Sequence, residues 1–157
     1  MFRMKAATLA FVLAVITQPI NCYGQGSSLK IEKRVQVLIN RMVKRSTEHK
    51  AFAELEALGC PAVPAIIQQM DDRRLLPDKY ISLRNKSPQA WESMRHYSVK
   101  RVVDALDAIL NQLTGQSFGY IDTDKDEASQ NTERAKVVLG WREWLQKTAQ
   151  TTLCEGA

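Results

Sequence analysis

Ala51 to Asp71, AFAELEALGCPAVPAIIQQMD, limits the possible folds more than any other stretch of the chain. It reads as two short helices joined by a Gly-Cys-Pro turn. Ala51, Phe52, Leu55 and Leu58 recur at helical spacing in the first helix, and Val63, Ile66, Ile67 and Met70 do so in the second. Gly59 stands where a left-handed helix end is wanted. Pro61 suits the first turn of the next helix, where its missing N–H has no partner to lose. Pro64 lies further in and is tolerated if that helix starts late. Two helices alone leave part of each apolar face open, so the rest of the chain must cover them.

The flanking segments continue the helical pattern. Residues 25–29 form a polar linker, followed by a first helix from about Lys30 to Lys44 with Ile31, Val35, Leu38 and Met42 on one face. Ser46 or Thr47 caps the second helix, with Glu48 in its first turn. Arg73 to Lys86 has no clear period and reads as a long connection. Ser87-Pro88 starts a short helix over Gln89 to Tyr97. Ser98 then caps a helix to Thr114 that carries the cleanest apolar stripe, from Val99 to Leu113 and stopped by Gly115. Gln116 to Gln130 is a second long connection. Asn131 caps a last helix to about Thr148, whose bulky face holds Val137, Val138, Trp141, Trp144 and Leu145, with Gly140 allowing close contact. The expectation is an all-α domain over residues 30–157, a stack or bundle of five to six helices.

LEALGCPAVPAIIQQMDD, Leu55 to Asp72, resembles a HEAT-type helical repeat with its small-residue, proline-bearing turn. A second copy at the forty-odd-residue period of stacked repeats is missing, so the resemblance implies a short HEAT-like stack, not a long array. LTGQSFGY followed by a terminal helix with Trp141, Trp144 and Leu145 is similar to the endings of exported bacterial HEAT-like proteins.

The N-terminus points to export. Arg3 and Lys5 precede an uncharged apolar run, Ala6 to Ile16, and then small residues follow Pro19. This is the order of a secretory signal peptide over residues 1–24, cleaved after Gly24 or Gly26, and the run is too short to span a bilayer. Without Arg3 and Lys5 the net charge falls from +5 to +3. That balance is mixed in sign and argues against nucleic acid or a stable membrane partner. The remaining chain of about 130 residues suffices for one domain. In an oxidising periplasm Cys60 and Cys154 can pair; the alternative is a buried Cys60 and a frayed Cys154.

Candidate chemistry is sparse. Asp122, Asp124, Asp126 and Glu133 occupy the first, third, fifth and twelfth places of an EF-hand-type loop. However, Glu127 stands where the turn glycine belongs and Ser129 where an apolar residue belongs. His49 and His96 are the only imidazoles. HExxH, GxSxG and glycine-rich phosphate motifs are absent, and Cys60 adjoins Pro61 in the hairpin turn. The expectation is therefore a non-enzyme without cofactors. It would be a periplasmic protein-binding module, such as an inhibitor or immunity protein that blocks a secreted toxin or hydrolase. A calcium-binding envelope module and a small hydrolase using His49 or His96 are the alternatives. The expected binding residues lie in the two long connections: Arg73, Arg74 and Tyr80 in the first, and Phe118, Tyr120, Asp122, Asp124 and Asp126 in the second.

Overall fold

The computed structural model describes residues 25–85, 91–149 and 152–154. The signal peptide and the Ser87-Pro88 helix start lie outside these residues. Helix α1, Gln25–Met42, takes in the expected linker and stops short of Lys44. Its buried line is Val35, Leu38, Ile39 and Met42. Once that line nucleates a helix, extension backwards through Ser28 costs little, and the Ser28 hydroxyl adds a 2.9 Å hydrogen bond to Glu32.

Helix α2, Glu48–Ala57, a 3₁₀ turn, Cys60–Ala62, and helix α3, Val63–Gln68, form the hairpin read from the sequence. Gly59 takes φ 65°, the left-handed conformation the turn requires. Thr47 precedes α2 but gives its N–H groups no side-chain cap; its hydroxyl donates instead to the Arg41 carbonyl at 2.8 Å, closing the α1–α2 turn.

The fold is predominantly helical but not all-α. Strand β1, Tyr80–Arg84, pairs antiparallel with strand β2, Met94–Ser98, in the register Tyr80 with Ser98 through Arg84 with Met94. Thus the first long connection contains a strand, and the helix expected over Gln89 to Tyr97 ends as another. The reason is visible in Tyr80-Ile81-Ser82-Leu83-Arg84. It alternates with period two, which buries Ile81 and Leu83 and exposes the residues between them. Met94 to Ser98 lacks a helical stripe and supplies the partner edge.

Helix α4, Val102–Thr114, is the centre of the domain. It begins later than Ser98, which belongs to β2. Asp104 accepts the backbone N–H groups of Lys100 and Arg101, each at 2.9 Å, and so starts the helix from within its first turn. Gly115 ends it at φ 69°. Contacts reach α4 from α2, α3, α5 and both strands, which explains why it is buried over nearly its whole circumference. Helix α5, Glu127–Lys147, starts one turn before Asn131, because Asp126 accepts the Ser129 N–H at 3.0 Å and caps it.

The Cys60 and Cys154 sulfurs lie at bonding distance, 1.99 Å, with the Cα atoms 6.0 Å apart. The bridge holds the chain end, with its buried Leu153, on the α2–α3 turn. Among the described residues no helix is long and apolar enough to cross a membrane.

Candidate functional site

The β-hairpin, α4 and the segment before α5 enclose a cleft of about 420 Å³. Tyr80, His96, Tyr97 and Ser98 come from the strands. Asp104, Asp107, Ala108 and Asn111 come from α4, and Ser117, Gly119, Tyr120 and Ile121 from the second connection. Each wall is held by its own local bonds. The Tyr97 hydroxyl donates to Asn111 Oδ1 at 3.4 Å, and the Asn111 amide donates to the Gln116 carbonyl at 2.8 Å. The Gln116 N–H donates to the Thr114 hydroxyl at 3.1 Å, and the Ser98 and Thr123 hydroxyls meet at 2.6 Å. Loop and sheet are thereby fixed to one helix.

The floor of this loop is aromatic. Phe118 does not face solvent: its ring meets Trp141 edge-on at 4.8 Å and lies 6.4 Å from Trp144. Gly140 makes room for it, since a Cβ there would fall 2.5 Å from Phe118 Cβ. With Phe118 turned inward, Tyr120 is left outward and is 76% exposed; Tyr80, across the hairpin, is 67% exposed. The structure therefore brings one ring from each long connection to a single cleft.

Asp107 is the unusual group in this cleft. Its Oδ1 accepts the Trp141 indole N–H at 2.6 Å. Burial pushes its carboxyl up to about 6 and the nearby Asp104 adds to the rise, while the indole hydrogen bond opposes it. Asp104 differs because Arg134, fully buried, holds it through two bonds of 2.7 and 3.0 Å. Arg134 also reaches Glu127 at 3.2 Å. Glu127 receives Lys100 and Arg101 at 2.9 Å each, and these hydrogen bonds hold its carboxyl down at about 2.

The other expected site residues are placed apart from the cleft or used otherwise. Arg74 is paired with Asp72 and Asn40. The Arg73 carbonyl accepts from Arg101 at 2.6 Å, and neither arginine lines the cleft. Asp122 accepts the Asp124 N–H, Asp126 caps α5, and Glu133 binds the Asp122 N–H and the Lys125 ammonium. These carboxylates are turned to helix capping and loop closure. Among the described residues no group of three or more His, Cys, Asp or Glu is arranged to hold a metal ion. His49 pairs with Asp78 at 3.0 Å. His96, by contrast, lines the cleft, and its Nδ1 lies 2.8 Å from the hydroxyl of Ser82, its cross-strand partner.

Asp107 and Tyr97 were not legible as site residues in isolation, whereas His96 was legible only as a base for catalysis. A signal for Asp107 does exist: Asp104 and Asp107 interrupt the apolar run Val102 to Leu110 one turn apart, and carboxylates within such a run need a reason. Comparison with protein-family models, curated proteins and solved structures finds no match for the chain.

Proposed function

We propose that the chain is a non-catalytic protein-binding module of the bacterial periplasm, of the inhibitor or immunity kind that blocks a secreted toxin or hydrolase. The observation that carries this reading is the convergence of Tyr80 and Tyr120, both largely exposed, on one cleft whose walls are internally hydrogen-bonded. Exposed tyrosines on a rigid frame bury large area at small entropic cost, which is the chemistry of protein interfaces. The signal-peptide architecture and the Cys60–Cys154 bridge support export. The α2–α3 unit serves as a HEAT-like scaffold, and Asp126 of the acidic loop caps α5.

The test is affinity capture from envelope extract with the processed, disulfide-bonded protein. Tyr80→Ala and Tyr120→Ala are each expected to weaken capture of the same partner by about tenfold or more, the usual effect of losing an interface tyrosine. A partner held equally by wild type and the double variant would rule out this face.

A further inference from the structure

We propose that the cleft is a slot for a basic side chain, lysine or arginine, presented by the protein that docks on this face. The inference rests on the protein-binding reading above and specifies the partner's chemistry.

Four rings line the cleft, those of Tyr80, His96, Tyr97 and Tyr120, and two carboxylates stand on its α4 wall, Asp104 and Asp107. Among the described residues no lysine or arginine lines this cleft. Asp104 is already balanced by Arg134. Asp107 is not: its hydrogen-bond partner is the neutral Trp141 indole, and among the described residues no lysine or arginine pairs with it. An ionised carboxylate in such a place lacks a counter-charge, and an ammonium or guanidinium supplies one. Tyrosine faces attract the same cations, and phenolic oxygens accept their N–H groups.

The competing guests are disfavoured by the same groups. An apolar side chain would desolvate Asp107 further without compensating it. An anion would meet two carboxylates. The chain as a whole is net basic, so an acidic cleft is where a basic side chain finds its complement. The volume, about 420 Å³, leaves room for one long side chain.

The Trp141 indole proton rests on Asp107 and reports on it directly. The disulfide-bonded protein is titrated above neutral pH, where Asp107 is ionised, with N-acetyl-lysine methylamide and N-acetyl-arginine methylamide. N-acetyl-norleucine methylamide is the neutral control, and the indole N–H resonance is followed by heteronuclear NMR. A saturable shift is expected with at least one basic amide and none with the norleucine amide. Asp107→Asn keeps an oxygen for the indole and is expected to weaken that response about tenfold. No saturable shift, an equal response to norleucine, or a response unchanged in Asp107→Asn overturns the slot. Partner capture that depends on Tyr80 and Tyr120 without any amide response overturns the slot alone. Amide binding alongside capture that ignores both tyrosines overturns its assignment to a protein partner.

Discussion

Burial holds the Asp107 carboxyl at a pKa of about 6, against 3.8 for the free side chain, so the folded protein prefers its protonated form. Folding therefore takes up a proton between about pH 4 and about pH 6. This contribution is complete below about pH 4 and is lost as the pH rises through about 6. Above that point the ionised carboxylate costs on the order of 2–3 kcal/mol of stability. Asp107→Asn keeps the indole acceptor and removes the ionisation. Urea denaturation should find the variant more stable than wild type by about 2–3 kcal/mol near pH 8, with the difference closing near pH 4. A difference independent of pH would show that the side chain's shape matters and its charge does not. A carboxylate kept at such a cost fits a group whose counter-ion arrives with a binding partner.

At the scale of elements, α4 and α5 are joined by ions as well as by apolar packing. Arg134 projects from α5 with no exposed surface, and it meets Asp104 on α4 and Glu127 at the start of its own helix. Asp104 also receives the Lys100 and Arg101 N–H groups, so one carboxylate both starts α4 and receives α5. Arg134→Met would strand that carboxylate in the interior. The expected loss is about 3–5 kcal/mol, read as a fall in the urea midpoint. A loss below about 1 kcal/mol would mean that solvent enters and replaces the arginine. This joint also shows what the sequence can and cannot convey. The α2–α3 hairpin and the α4 stripe were legible because their signals are local: Gly59 and Pro61 at a turn, apolar residues at a fixed period. The sheet was missed because Met94 to Ser98 pairs with a strand across a connection, and cross-strand pairing is not written in either strand alone. The α5 start was displaced because Asp122, Asp124 and Asp126 look alike in sequence, and only the Ser129 N–H singles out Asp126 as the cap. Of the aromatic residues expected in the two connections, Tyr80 and Tyr120 line one cleft, whereas Phe118 is withdrawn by Trp141 and the gap at Gly140.

Across the whole molecule, the Cys60–Cys154 bridge and the cleft are separate features of one frame. The bridge closes a sequence separation of 94 residues at the α2–α3 turn, and none of the cleft's lining residues adjoins it. Cross-linking over that length restricts the unfolded chain, which in the chain-entropy model is worth roughly 3–5 kcal/mol. Its effect should therefore fall on stability and leave the geometry around Asp107 in place. Cys60→Ser with Cys154→Ser is expected to lower the urea midpoint by an amount equivalent to that energy. The Trp141 indole resonance and the affinity of the cleft, measured well below the variant's melting temperature, should stay as in wild type. A displaced indole resonance in a variant that remains folded would show that the bridge shapes the cleft through α3 and α5, which are in contact. With the resonance unmoved, oxidation of the bridge would govern how long the protein survives and would have no part in what it binds. That is the division expected of a binding face carried on a scaffold stabilised for an oxidising compartment.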